Sequence, residues 1–478
     1  MSSLQQTEFP VAVIGGGPVG LAAAAHLVTR GVPVRVYEAG ETVAANVRDW
    51  GHVRLFSPWR FNTDAAATAI LHEHGWQSPP AAALPTGSDL YSAYLQPLAE
   101  TPPLRSIIKT GARVRAVSRA GIDKVVSRGR GDHPFALAID TADGASRIDL
   151  AHAVIDASGT WTNPNPAAAS GTPAAGEITC ADGMAYGVPD VLGRDRATYA
   201  GQRVLVIGGG HSAANVLLDL SRLAETDARL QIVWAVRAAS LARVFGGGAA
   251  DRLPARGALG DQLKRLMESG ELELVMSFVL DRIERRAGDL FVSERSGREL
   301  GPVYRIIVCT GQRPDLSMTR ELRLDLDPWL ESARALGPMI DPNLHSCGSV
   351  PPHGYKQLAH PEPGYFAVGV KSYGRAPTFL MATGYEQVRS VAAHLAGDEA
   401  AANDVRLVLP ETGVCSTNIA AEIAASEGCC GGPAPDNVDA CCMDDAIAKA
   451  EGKPGCGCGP KEMLTVAADS GCGSRRHA

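Results

Sequence analysis

Residues 11 to 20 read Val-Ala-Val-Ile-Gly-Gly-Gly-Pro-Val-Gly and indicate the architecture of the first domain. A short apolar run ends in a glycine turn, and the turn passes into the helical stretch 21–30. Gly15 permits a tight bend, Gly17 lets the backbone approach a pyrophosphate, and Gly20 lets the helix pack against the strand. The helix start also offers unpaired N–H groups to an anion. This order of elements predicts a dinucleotide site, and the alternative is a glycine-rich turn without a ligand.

The next predicted strand, residues 34–37, ends at Glu38. A carboxylate at this place accepts hydrogen bonds from a ribose diol. Because strand, helix and acid are all present, the segment favours a bound dinucleotide over an empty turn.

The same order of elements returns near the middle of the chain. The apolar run 203–207 is followed by Gly208-Gly-Gly-His-Ser-Ala213 and by a helical stretch through Leu223. Ala213 replaces the third glycine, which is a common variant. We expect His211 to lie at the helix start near phosphate and assign it no chemistry.

The strand after the second turn, residues 231–236, is followed by Arg237, with Arg243 shortly beyond. A guanidinium there suits the 2′-phosphate of NADPH and gives NADH no equivalent contact. The alternative is that Arg237 is an ordinary solvated residue at a strand end. The pattern favours NADPH at the second turn.

Four further motifs accompany the two turns. Val154-Ile-Asp-Ala-Ser-Gly159 and Ile307-Val-Cys-Thr-Gly311 are strands ending in an A-T-G-like turn, and Tyr365-Phe-Ala-Val-Gly369 precedes Thr383-Gly-Tyr-Glu-Gln-Val-Arg389. Over residues 10–398 the arrangement resembles the two-dinucleotide-binding-domain flavoproteins, the group of thioredoxin reductase-like enzymes and flavin-containing monooxygenases.

The resemblance implies an α/β fold of two nested, three-layer Rossmann-like domains with a small, partly disordered, cysteine-rich tail. The FAD domain would comprise residues 1–165 and 311–400, the inserted NADPH domain residues 195–310, and the tail residues 404–478. The residues predicted to contact FAD are Gly15, Gly16, Gly17, Pro18, Gly20, Glu38, Val114, Gly159 and Gly369. Those predicted to contact NADPH are Gly208, Gly210, His211, Ser212, Ala213, Arg237 and Gly311.

The subclass depends on thiols. Disulfide reductases of this group carry a C-x-x-x-x-C pair after the first helix or a C-x-x-C pair in the NADPH domain, and the sequence has neither. Monooxygenases of the group expect F-x-G-x-x-x-H before the second turn, whereas here Gly183 is followed four positions later by Gly187. The subclass therefore stays open, and the catalytic side chains stay unassigned because the flavin carries the chemistry.

Two polar segments leave their roles open. Residues 46–62 mix arginines, His52 and two tryptophans, which suits either a face toward flavin and substrate or a core with solvated arginines. Residues 345–353, with His360, favour a polar pocket wall over a metal site, because the His and Cys spacing matches no standard site.

Eight of the 11 cysteines lie after residue 410. Adjacent and C-x-C thiols suit soft, low-coordinate ions such as trivalent arsenic, Cu(I) or Hg(II). Such tails resemble those of arsenic-resistance proteins, so we assign metalloid binding here. The candidate ligands are Cys429, Cys430, Cys441, Cys442, Cys456 and Cys458.

Composition excludes other classes. A net charge of -7 offers no basic stripe for nucleic acid. No apolar run approaches the roughly 20 residues of a membrane span, and no export signal is evident. We expect a cytoplasmic enzyme with a small-molecule substrate and molecular oxygen, and leave a homodimer open.

Three functions follow from the sequence. The first is an FAD- and NADPH-dependent monooxygenase acting on a soft nucleophile such as a trivalent arsenical, in metalloid detoxification. The second is an NADPH-dependent reductase of a tail disulfide or tail-bound metal. The third is a metalloid chaperone on a flavoprotein scaffold.

Overall fold

A computed structural model of the chain describes residues 8–245, 253–345 and 350–407. These residues belong to one compact unit, Met1–Ser416. The cysteine-rich tail, including all six candidate metalloid ligands, lies outside the described residues, as does Cys347.

Several strands of the described residues, among them those at residues 11–14, 203–207 and 305–308, are short and rich in Val, Ile and Leu, as expected for buried parallel sheets. In chain order they are β1 Val11–Ile14, β2 Val34–Tyr37, β3 Ile108–Lys109, β4 Ala112–Arg119, β5 Phe135–Thr141, β6 Ser146–Ala151, β7 Ala153–Asp156, β8 Met184–Tyr186, β9 Arg203–Ile207, β10 Gln231–Ala235, β11 Leu272–Val275, β12 Leu280–Arg286, β13 Asp289–Glu294, β14 Glu299–Val303, β15 Arg305–Val308 and β16 Tyr365–Ala367.

The α-helices of the described residues include several single turns. In chain order they are α1 Pro18–Thr29, α2 Ala45–Asp49, α3 Ala65–Glu73, α4 Gly87–Leu90, α5 Gln96–Glu100, α6 Pro102–Arg105, α7 Arg196–Tyr199, α8 His211–Ala224, α9 Ala242–Phe245, α10 Pro254–Ser269, α11 Gly337–Ile340, α12 Tyr355–Leu358, α13 Met381–Leu395 and α14 Glu399–Asn403. Not one helix among these residues has the length and apolar character needed to cross a membrane.

The first domain has three layers around a parallel five-stranded sheet with strand order β16-β7-β1-β2-β3. Alternate residues of β1 face opposite sides of the sheet, as strand geometry requires. Val11 and Val13 pack with α1, α3 and α13. Ala12 and Ile14 pack instead against the antiparallel sheet β4-β5-β6.

The second domain repeats this construction with the parallel sheet β11-β10-β9-β15-β8. Val204 and Val206 of β9 pack with α8 and α10, whereas Leu205 and Ile207 pack with the antiparallel sheet β12-β13-β14. The predicted class of two nested three-layer α/β domains is confirmed. The second sheet also takes in β8, which precedes residue 195, the start that the sequence suggested for the NADPH domain.

Candidate functional site

The first glycine turn joins β1 to α1 and is shaped by two close contacts. Gly15 has a φ of +99°, and a Cβ there would lie 2.6 Å from the carbonyl oxygen of Ala157. A Cβ on Gly20 would lie 1.9 Å from the carbonyl oxygen of Gly15. A Cβ on Gly17, by contrast, would meet no atom within 4 Å. Packing therefore requires Gly15 and Gly20, whereas Gly17 opens onto free space beside the N-terminus of α1, which begins with Pro18.

Glu38 follows β2 and braces this turn. Its two carboxylate oxygens accept hydrogen bonds from the backbone N–H groups of Gly16 and Gly40, each at 2.7 Å. Each carboxylate oxygen has two lone pairs, so both keep capacity for a further donor. The place and the free acceptor capacity suit a ribose diol.

The second turn, between β9 and α8, is built in the same way. Gly208 has a φ of +135°, and a Cβ there would lie 2.3 Å from the carbonyl oxygen of Cys309. The buried Trp234 donates an indole hydrogen bond of 2.7 Å to the Gly208 carbonyl. A Cβ on Gly210 would meet no atom within 4 Å, and Ala213 is fully buried at the position of the third glycine. The second turn thus also opens onto free space at one glycine.

Arg237 lies two positions beyond the end of β10, at the same edge of the sheet as the second turn. Its side chain is exposed and forms no hydrogen bond or ion pair with any residue that the structure describes. Ser212, at the start of α8, is exposed as well. The Arg243 side chain lies outside the described residues. A free guanidinium at the same sheet edge as an open glycine turn would suit the extra phosphate that distinguishes NADPH from NADH.

The other predicted contact residues are three glycines that follow strands of the two parallel sheets and one valine within a core. Gly159, Gly311 and Gly369 follow β7, β15 and the last strand, β16, and all three have positive φ, at +73°, +88° and +68°. A Cβ on Gly369 would touch Val19 of α1 at 3.3 Å, so this segment lies beside the first turn. Val114 is partly buried in β4 and packs into the core between the first sheet and β4-β5-β6.

A buried ion pair adjoins Gly159 and Gly369. The Lys371 ammonium lies 2.7 Å from the Asp156 carboxylate, donates to the Ser158 hydroxyl at 2.9 Å, and is 2% exposed. Tyr365 donates a hydrogen bond of 2.9 Å to the same carboxylate. Burial and the neighbouring Asp156 raise the pKa of Tyr365 well above its ordinary value. The sequence reasoning missed this pair, although an aspartate inside an apolar strand was a signal for it.

A second buried network holds the Gly369 backbone. Gln387 accepts the Gly369 N–H at 2.8 Å, and its amide nitrogen lies 3.0 Å from His353 Nε2. Since that amide can only donate, His353 Nε2 is an acceptor, and the ring proton on Nδ1 reaches the Pro351 carbonyl at 3.0 Å. Burial lowers the pKa of His353, in keeping with a neutral ring. His353 is thus part of a buried wall.

Residues 46–62 divide between three environments. Trp59 is buried in the core, and Arg54 and Arg60 are exposed. His52 and Phe56 face the second domain instead. His52 partly offsets, together with Arg222, the rise that burial causes in the pKa of Asp219. The phenyl ring of Phe56 packs against the imidazole of His211, with ring centroids 5.4 Å apart.

The described thiols are not a redox pair. Cys180 and Cys309 are both free and buried, and they lie in different core clusters. Burial raises the pKa of the Cys309 thiol to about 12, so it stays protonated near neutral pH. Within residues 8–245, 253–345 and 350–407, no three His, Cys, Asp or Glu side chains are grouped so as to hold a metal ion.

Comparison with known proteins agrees with this construction. Residues 12–333 match the model of a family described as pyridine nucleotide-disulphide oxidoreductase. The chain is similar to the bacillithiol disulfide reductase of Bacillus cereus, with a TM-score of 0.59 and 18% identity over 81% of this chain and 99% of that chain. No curated protein sequence matches the chain.

Two monooxygenase structures are also similar. One is a mutant flavin monooxygenase from Stenotrophomonas maltophilia, with a TM-score of 0.52 and 21% identity over 81% of this chain and 98% of that chain. The other is the FAD-bound cadaverine monooxygenase of Erwinia amylovora, with a TM-score of 0.57 and 13% identity over 85% and 97%. At such identities the likeness establishes the fold alone.

Proposed function

This chain belongs to the pyridine nucleotide-disulphide oxidoreductase family and is a flavin-dependent oxidoreductase, and we propose that within this family it acts as an NADPH-dependent monooxygenase. The observation that carries the assignment of two cofactors is the doubled turn. At each turn at least one glycine is required by a close carbonyl contact, and another, Gly17 or Gly210, opens onto free space. A dinucleotide backbone needs such a gap to approach the N-terminus of a helix.

FAD would bind at the first turn. Gly17 and the start of α1 would receive the pyrophosphate, and Glu38 would receive the ribose, since its carboxylate keeps free acceptor capacity. The segment that begins at Gly369 would support the flavin from the other side. It is well suited to this because Gln387 fixes the Gly369 N–H, and because Lys371, two residues on, is tied to Asp156. A flavin held by these residues would supply the chemistry of hydride acceptance from NADPH and electron transfer to an acceptor.

NADPH would bind at the second turn. Gly210, His211 and Ser212 would meet the pyrophosphate, and Arg237 would meet the 2′-phosphate. The acid at the first site and the arginine at the second explain why the two turns would select different dinucleotides.

The choice of monooxygenase over disulfide reductase rests on the thiols. A dithiol route needs two neighbouring cysteines of which one forms a thiolate. Cys180 and Cys309 do not meet this need, because they are buried apart and the Cys309 pKa is raised. Electrons that leave the flavin within the described part of the chain therefore have no dithiol to pass through, which favours oxygen and a bound substrate.

The proposed substrate is a soft nucleophile, with a trivalent organoarsenical as the example to test. Support for this comes from the sequence of the tail, where thiolates such as Cys441 and Cys442 prefer soft centres. The tail would capture the arsenical and deliver it for oxidation to a pentavalent, less thiol-reactive product. A cytoplasmic location, where thiols stay reduced, is part of the same proposal.

The test is aerobic NADPH oxidation by the purified, FAD-loaded full chain, with oxygen uptake recorded in parallel, before and after methylarsenite is added. We expect the arsenical to accelerate both signals together. In a matched variant, all tail cysteines from Cys415 onward are replaced by Ser. This variant should need a higher arsenical concentration for half-maximal acceleration of NADPH oxidation, while its NADPH oxidation without arsenical stays unchanged.

Other outcomes identify the alternatives. If NADPH is consumed without oxygen uptake, and the Ser variant no longer consumes NADPH, the protein is a reductase of a tail disulfide or of a tail-bound metal. Arsenical binding without any NADPH consumption would show a metalloid chaperone.

A further inference from the structure

The segment from Asp49 to Phe56 belongs to the first domain but reaches the second at several points. Asp49 accepts a hydrogen bond of 3.2 Å from the indole of Trp161, which stands where the chain leaves the first domain. The Trp161 ring in turn packs over Gly187, just beyond β8: a Cβ there would lie 3.5 Å from the ring. The Asp49–Phe56 segment therefore forms part of the contact between the domains.

Phe56 makes the contact that bears on function. Its ring centroid lies 5.4 Å from that of His211, at an interplanar angle of 47°. The Arg256 guanidinium lies 6.0 Å from the same ring. Arg256 stands in the first turn of α10 and is 3% exposed. A phenyl ring of one domain thus lies near both an imidazole and a buried guanidinium of the other.

The His211 side chain belongs to the first residue of α8, directly after Gly210, where the turn opens onto free space. Because His211 is the first residue of α8, the position of its side chain bears on access to the N–H groups at this end of the helix. Aromatic contacts of this kind contribute beyond the area that they bury, and a cation near the ring adds to them.

We propose that Phe56 is a positioning residue of the NADPH site, supplied by the FAD domain. It acts through His211, which it holds beside the open turn, so that tight NADPH binding requires the two domains to meet. This inference rests on the proposed function, because it assumes that the second turn binds NADPH.

The test compares Phe56→Ala with a matched control, Phe291→Ala. Phe291 is also half-buried, and a guanidinium, that of Arg286, lies 3.8 Å from its ring centroid, but it belongs to the outer sheet β12-β13-β14. Binding of NADP⁺ to the FAD-loaded full chain is measured by calorimetry, and FAD content by absorbance.

We expect Phe56→Ala to weaken NADP⁺ binding about three- to tenfold, the range of a lost aromatic contact, with FAD content unchanged. Phe291→Ala should leave NADP⁺ binding unchanged. In a His211→Ala background, Phe56→Ala should have no further effect, because it acts through that side chain. A role in domain stability alone would instead lower the melting temperature without this dependence on His211.

Unchanged or tighter NADP⁺ binding by Phe56→Ala would overturn the inference, and so would an equal loss in Phe291→Ala. Failure of this inference about Phe56 can be told apart from failure of the proposed monooxygenase function. If the wild-type chain binds NADP⁺ but consumes no oxygen, the monooxygenase proposal fails and the inference stands. If it binds no NADP⁺ at all, both fail.

Discussion

The two kinds of glycine in the second turn give the sharpest prediction, because they differ both in backbone conformation and in what surrounds the absent Cβ. At Gly208 a Cβ would lie 2.3 Å from the Cys309 carbonyl oxygen, on a residue with a φ of +135°. At Gly210 a Cβ would meet nothing within 4 Å, and the backbone is extended. Gly208→Ala should therefore mainly destabilise the fold, whereas Gly210→Ala should mainly weaken dinucleotide binding.

The magnitudes follow from the geometry. Strained backbone of this kind costs about 1–3 kcal/mol, and the carbonyl contact adds to it. Each kcal/mol lost from the free energy of unfolding lowers the melting temperature by about 2–4 °C in a domain of 150–250 residues. Gly210 is the residue before α8, where changing Gly to Ala costs about 1 kcal/mol or less. For NADPH, loss of close approach at one phosphate contact should weaken binding about tenfold or more.

The assay is thermal unfolding of each FAD-loaded variant, followed by NADP⁺ calorimetry at a temperature where both are folded. We expect Gly208→Ala to melt several degrees below Gly210→Ala, and Gly210→Ala to bind NADP⁺ more weakly than wild type. If Gly210→Ala keeps wild-type affinity, the free space at this turn does not receive the dinucleotide, and the matching assignment of Gly17 to FAD loses its basis.

Three further predictions concern charge and reactivity. Arg237→Ala should weaken NADPH binding about ten- to a hundredfold and leave NADH binding unchanged, because a charge-assisted bond to phosphate contributes about 1.5–3 kcal/mol; equal losses for both cofactors would contradict the assignment. Glu362 is buried and bonded to Arg119 and Arg130, so Glu362→Gln should cost about 3–5 kcal/mol in urea unfolding at pH 7. Burial raises the pKa of Glu362, but the hydrogen bonds from the two arginines outweigh the effect of burial and hold the pKa below its ordinary value. The ionised Glu362 therefore stabilises the fold fully above about pH 4.3, and this stabilisation is lost as the pH falls further. Measurements of the free energy of unfolding between pH 3 and pH 7 would reveal the loss. Cys309, with a pKa raised to about 12, should resist iodoacetamide at pH 8 in the folded chain and react fully in urea; rapid labelling of the folded chain would show that it is accessible.

The sequence could predict the strands, turns and helices of both proposed nucleotide sites because local rules govern them. The run 203–207 is the strand β9 in full, and the helix predicted for residues 21–30 is α1, which starts three residues earlier at Pro18. The earlier start has a local cause, since proline is favoured in the first turn of a helix.

Contacts between distant segments could not be predicted in this way. Lys371 and Asp156 are 215 positions apart, and no periodicity in the sequence links them, although parallel pairing of β16 with β7 brings their segments together. The same holds for Phe56 and His211. The segment 46–62 left two interpretations open, core or flavin face, and contact with the other domain was neither of them. Only the packing of the domains shows that contact.

The two domains share one construction, but they differ in the charged residue that follows the second strand of each glycine-turn unit. In the first domain, Glu38 directly follows β2. In the second domain, Arg237 lies two residues beyond β10. The acid is tied back to the turn through Gly16 and Gly40, whereas the arginine is left free of the described residues. A tied acid suits a cofactor that stays bound through many turnovers, because the site is preorganised around it. A free, exposed arginine suits a cofactor that must arrive and leave in every turnover, since its side chain can follow the ligand without breaking contacts within the protein. The asymmetry therefore agrees with a resident flavin and an exchanging NADPH.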